Sequence, residues 1–96
     1  MNDESNRKVE LMVEFTHYFI YGNPPEGLTQ EKYEEWASTV PKKFNMEVVY
    51  GGVSIGTAED YLIVLKGKIS DFEKLYTREY APPLVDRRTT FGGNWA

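Results

Sequence analysis

The sequence predicts an α+β domain in which two helices cover one face of a four-stranded antiparallel sheet. Three observations predict it. Alternation with period two runs over residues 9–21: Val9, Leu11, Val13, Phe15, His17, Phe19 and Tyr21 point one way, and Glu10, Met12, Glu14, Thr16, Tyr18 and Ile20 the other. Helical spacing of apolar residues appears at Tyr33, Trp36, Ala37 and Val40, and again from Phe72 to Leu75 and Tyr76. Between them, the unbroken apolar run at 61–65 reads as a strand buried on both faces. A length of 96 residues allows one core and no second.

Each element follows from its residues in turn. The first strand is long, and its second face is only half polar. It ends over 22–27, where Pro24 and Pro25 remove backbone donors and Gly22 and Gly27 supply turn conformations. Thr29 then reads as a helix N-cap, with Glu31 in the first turn favourable to the helix dipole. Leu28 and Tyr33 have the spacing of a hydrophobic staple across that cap. Gln30, Glu31, Glu34 and Glu35 take the outer side of this helix, and Pro41 stops it.

Residues 44–55 alternate at Phe44, Met46, Val48 and Tyr50 until Gly51 and Gly52 interrupt, and paired glycines in a strand signal a bulge or a close backbone approach. After a turn at 56–59 comes the third strand, 60–66, placed centrally by its apolar run. Ser70 and Glu73 have capping-box spacing and open a second helix whose inward residues are Phe72, Leu75, Tyr76 and Tyr80. Pro82 and Pro83 end it, and 84–91 is the last strand. Strand, helix, strand, strand, helix, strand is the ferredoxin-like βαββαβ order, which centres the first and third strands. Residues 1–8 form a flexible polar leader, 9–91 the domain and 92–96 a tail.

Composition excludes several functions. With 15 acidic and 11 basic side chains the net charge is −4, the wrong sign for a nucleic-acid or anionic-membrane binder. An RNA-recognition motif needs a basic, aromatic-rich third strand, whereas this one starts at Asp60 and carries only Tyr61 as an aromatic. The absence of cysteine removes disulfides, thiolate nucleophiles and Cys-based metal sites, and fits a reducing compartment. Residues 1–8 lack the apolar stretch of a secretory signal, so the expected location is cytoplasmic.

Two helices leave one sheet face uncovered. On the first strand the face with Met12, Tyr18 and Ile20 is too apolar for water, so these residues are expected to meet a second copy of the chain across a two-fold axis. Here the chain resembles the dimeric α+β barrel superfamily, which includes antibiotic-biosynthesis-type monooxygenases and muconolactone-isomerase-like enzymes. The resemblance spans 9–91 and rests on element order, the long first strand, the glycine-bearing second strand at 46–52, and Pro82, Pro83, Leu84, Val85 and Asp86 leading into the last strand. It implies a homodimer with sheets packed face to face and a pocket within the barrel or between sheet and helices. No catalytic residue of the family can be matched onto this chain.

Candidate chemistry is sparse. His17 is the single histidine and could act as a general base between about pH 5 and 8, or serve as a hydrogen-bonded structural residue. Glu14 lies on the opposite strand face from His17, so the two cannot converge on a metal, and no metal or cofactor is expected. Tyr18, Tyr21, Trp36 and Tyr50, and with them Tyr33, Tyr61, Tyr76, Tyr80 and Trp95, could line an apolar pocket or serve as ordinary core, and Arg87 or its neighbour Arg88 could enter that pocket to fork onto a carboxylate, or else guard a sheet edge. The leading expectation is a homodimeric barrel protein binding a small, partly apolar molecule. Its rivals are a cofactor-independent monooxygenase or isomerase with His17 as base, and a structural dimerisation module without a ligand.

Overall fold

A computed structural model describes residues 16–92. Its elements are β1 (Thr16–Asn23), α1 (Gln30–Lys43), β2 (Glu47–Val53), β3 (Tyr61–Gly67), α2 (Ile69–Leu75) and β4 (Val85–Gly92). The strands form one antiparallel sheet in the order β2-β3-β1-β4, so the expected ferredoxin-like arrangement holds, with the apolar first and third strands at its centre. The leader, Met12 and the tail with Trp95 lie outside the described residues. Among those described, no helix is long and apolar enough to cross a membrane.

Strand parity places the core. Thr16, Tyr18 and Ile20 are buried, alternating with the partly exposed His17, Phe19 and Tyr21. Antiparallel pairing sets Tyr18 opposite Leu65 and Ile20 opposite Ile63, so these four share one face. Trp36, Ala37 and Val40 of α1 and Ile69, Phe72 and Tyr76 around α2 close over it, with Met46 and Leu75 completing the cluster. Tyr18 lies flat against Phe72, ring centroids 4.0 Å apart. Ile20, Ile63, Leu65 and Leu75 are fully enclosed, each worth roughly 1.5–3 kcal/mol relative to exposure.

This placement corrects the sequence reading of Tyr18 and Ile20. They were expected on the open face, against a twin subunit, and instead lie beneath the chain's own helices. Both faces of the first strand are apolar, so alternation alone cannot say which one the helices cover. The small residues decide it: Thr16 and Gly22 share a side with Tyr18 and leave room for the second layer. A Cβ on Gly22 would come within 2.7 Å of Leu84 Cβ and 3.2 Å of the Val85 carbonyl oxygen.

Local signals held unevenly. Thr29 caps α1 as expected, its Oγ1 accepting from the Lys32 amide at 3.2 Å. Pro41 does not stop the helix. It is buried within the last turn, where only the bond to Ala37 is forfeited, and its own carbonyl accepts from the amides of Phe44 (3.1 Å) and Met46 (2.9 Å). Termination falls to Asn45 in the left-handed region at φ 56°. The capping box does not form, because Lys68 holds the N-cap position of α2 and Ser70 already lies inside the first turn. That helix stops at Leu75 and leaves Tyr80 in a turn, where its ring meets Phe44 edge-on at 5.0 Å.

Both edge strands are bulged. In β2 the extra residue is Val49, two positions before the glycines, since Val48 pairs with Leu65 and Tyr50 with Val64. Across β1 and β4, Tyr21 pairs with Arg88 but Asn23 with Val85, which leaves one unmatched residue in β4, where Asp86 takes a φ of 53°. Gly22 sits opposite this bulge. Gly22→Ala should therefore lower unfolding stability by about 1–3 kcal/mol through overpacking, read as a lower urea midpoint with an unchanged slope.

Candidate functional site

A cleft of about 240 Å³ opens on the helix side of the sheet, where the first turn of α1 passes over the ends of β2 and β3. Leu28, Tyr33, Val53 and Tyr61 wall it, Gly51 and Gly52 form its floor, and Thr29, Gln30 and Glu34 edge it. The residues reach this place for local reasons. Thr29 capping fixes the start of α1, which sets Leu28 and Tyr33 on the same side of the helix entrance. Gly51 faces the helices without a side chain, so the Tyr33 ring lies directly against the sheet, where a Cβ on Gly51 would sit 3.7 Å from its hydroxyl.

The Tyr33 hydroxyl donates to the Leu62 carbonyl at 3.2 Å, and its ring meets that of Tyr61 at 5.7 Å, tilted by 39°. Burial pushes the phenol up to about 12, with a hydrogen bond to the Gly52 backbone opposing. The hydroxyl is thus protonated at any physiological pH and serves as an anchor, not as an acid or base. At the rim, Gln30 Nε2 donates to Glu34 Oε1 at 3.0 Å, which leaves Glu34 Oε2 and the Gln30 carbonyl oxygen as acceptors.

The expected pocket residues do not converge. Tyr18 is in the core, where burial raises its phenol above the ordinary value. Trp36 packs against the core and donates from Nε1 to the Tyr80 carbonyl at 2.9 Å, clamping the chain after α2. Arg87 spans the same segment, donating from Nη1 to the carbonyls of Pro82 (3.1 Å) and Leu84 (2.9 Å) and from Nε to the Tyr76 hydroxyl (3.3 Å). Tyr50 lies on the other sheet face and donates to the Val53 carbonyl at 2.9 Å, folded over Gly52.

His17 also lies on that other face, at the start of β1, paired with Lys66 and Gly92. Along β1 it is five residues from Gly22, the position that pairs with Tyr61 of the cleft, or about 17 Å at the rise of a strand. It takes no part in the cleft. Among the described residues, no three His, Cys, Asp or Glu side chains converge as a metal site.

The open face carries Phe19 and Tyr21 on β1, Leu62 and Val64 on β3, and Tyr50 on β2, with Val64 only 6% exposed. At its β4 side, Arg88 forks onto Glu59 (Nε to Oε2, 2.9 Å; Nη2 to Oε1, 3.0 Å) and stacks 4.2 Å over the Tyr21 ring. Hydrogen bonding from Arg88 holds the Glu59 carboxyl below its usual value. The fork ties the loop before β3 to β4, and the Asp60 amide, donating to Asn23 Oδ1 at 2.9 Å, ties it to the end of β1.

Sequence reasoning missed the cleft although its parts were visible. The staple of Leu28 with Tyr33 and the close approach expected at the two glycines were separate signals, and only the crossing of α1 over β2 joins them. No match is found for the chain among protein-family profiles, curated proteins or solved structures.

The Tyr33 phenol gives the pH dependence a sign. Its folded value near 12 exceeds the ordinary 10.0, so its contribution to stability is whole below pH 10 and is lost as pH rises through about 12. Urea midpoints should fall across that window, and Tyr33→Phe should make the fall shallower without abolishing it, since Tyr18 is raised as well. An unchanged slope in the variant would contradict the burial assigned to Tyr33.

Proposed function

We propose that the protein binds a small, partly apolar molecule in the cleft between α1 and the ends of β2 and β3. The observation that supports this is the open cleft itself, walled by the rings of Tyr33 and Tyr61 and floored by backbone at Gly51 and Gly52, where no strand side chain intrudes on the helix side. Its volume of about 240 Å³ lies between the roughly 150 Å³ that accommodates benzene and the roughly 300 Å³ at which drug-sized sites begin. That suits one ring and a short substituent. A binding role is favoured over proton transfer because His17, the candidate base, is on the opposite face of the sheet.

The floor can be filled without breaking the fold. A Cβ at Gly51 meets only the Tyr33 ring and hydroxyl, at ordinary contact distance, and Gly51 has no left-handed φ to strain. With para-ethylphenol as probe, titration of the full chain should shift the amide resonances of Gly51, Gly52, Val53 and Tyr61. Gly51→Ala, which adds only the methyl group that fits against Tyr33, should weaken those shifts while leaving stability equal or up to about 1 kcal/mol higher, since glycine is unfavourable within a strand. Shifts undiminished in the variant, or that appear only around His17, would place binding elsewhere.

A second reading, from a separate observation, is the homodimeric barrel. Phe19, Leu62 and Val64 occupy the two central strands of the open face, and the resemblance to dimeric α+β barrel proteins supports two such sheets packing face to face. Such an interface buries about 1,200–2,000 Å² in total. Phe19→Lys sets a charge into that contact and should convert a particle of twice the chain mass into one of single mass in sedimentation, with secondary structure retained. A wild-type chain that sediments at single mass, or a variant that stays double, would remove this reading.

A further inference from the structure

We propose that the cleft selects a small organic ammonium, a single apolar ring carrying a protonated amine. This rests on the cleft being the binding site, as argued above, and adds the charge of its occupant. The polar groups at the rim point to it. Among the described residues that line the cleft, Glu34 is the one charged side chain and none is basic. Gln30 commits one of its two amide hydrogens to Glu34 Oε1, which holds the carboxylate at the rim and leaves Glu34 Oε2 and the Gln30 carbonyl oxygen as acceptors there. The walls add the aromatic rings of Tyr33 and Tyr61, whose π electrons attract a cation and not an anion. A protonated amine satisfies acceptors and faces together; a carboxylate would meet Glu34 with no compensating cation.

The start of α1 works in the opposite sense, since a helix N-terminus carries about half a positive charge. It loses. Over the first turns Glu31, Glu34 and Glu35 outnumber Lys32, and full carboxylate charges exceed the partial charge of the dipole. Lys32 does not line the cleft. The Tyr33 hydroxyl is engaged with Leu62 and stays neutral, so it adds no competing anion and leaves Glu34 as the partner of the amine. A net charge of −4 on the whole chain favours approach of a cation as well.

Three probes that share one ring separate charge from shape: tyramine, para-ethylphenol and para-hydroxyphenylpropionate, each titrated into the full chain at low salt and followed at the cleft amides. Tyramine should bind about tenfold more tightly than para-hydroxyphenylpropionate, with para-ethylphenol between. Glu34→Gln, an exposed substitution that keeps the shape of the rim, should cut the preference for tyramine over para-ethylphenol about threefold. Equal or tighter binding of the propionate, or an unchanged preference in Glu34→Gln, would overturn the charge assignment while the cleft reading stands. If none of the three moves the cleft amides, both fall together.

Discussion

A β-strand offers its two faces in strict alternation, so packing Tyr18 and Ile20 under the helices commits His17, Phe19 and Tyr21 to the other side. Antiparallel pairing hands that commitment on: Ile63 and Leu65 go inward with them, Leu62 and Val64 outward. Moving β1 by a single residue would exchange the core for the open face across the sheet. Size adds to hydrophobicity in holding the parity, since Gly22 stands where a side chain would collide with Leu84. The cleft inherits its position from the same alignment. Gly51 pairs with Ile63 and Tyr61 with Gly22, and both point toward α1 because Ile20 does.

The order of elements was legible because each element announces itself over short range. Thr29 caps, Pro82 and Pro83 break, and the run at 61–65 needs cover on both sides, which the central position of β3 supplies. Orientation was not legible. The first strand is apolar on both faces, so nothing local showed which side of 16–23 the helices would take. The expected termination at Pro41 failed for a related reason. Local propensity weighs the lost hydrogen bond, whereas the fold weighs a proline ring fully buried against the rest of the domain, with its carbonyl capping the exit of the chain.

The site was the least legible part. Tyr18, Tyr21, Trp36, Tyr50 and Arg87 are attractive by residue type, yet the fold uses them as core, cation platform, clamp, fold-over and strap. Aromatic and arginine side chains are the ones a small domain relies on for area and for multiple hydrogen bonds, so their presence marks stability as readily as function. The cleft is defined by what is missing. Gly51 and Gly52 look like a disturbance in the strand pattern, and their meaning depends on a tyrosine eighteen positions earlier. Glu59 and Arg88, which lock the loop before β3, are likewise joined only by the sheet.

The two faces can act independently because the sheet separates them. A molecule in the cleft touches Tyr33, Gly51 and Tyr61 on the helix side; a second copy of the chain would touch Phe19 and Val64 on the other. Tyr50 folds across Gly52 on the open face while Tyr33 lies over Gly51 on the covered one, so two tyrosines brace neighbouring residues of one edge strand from opposite sides. β2 is exposed along its free edge and pairs only with β3, which makes it the least restrained strand at the cleft. The backbone of Gly51 and Gly52 is held between a tyrosine on each face of the sheet.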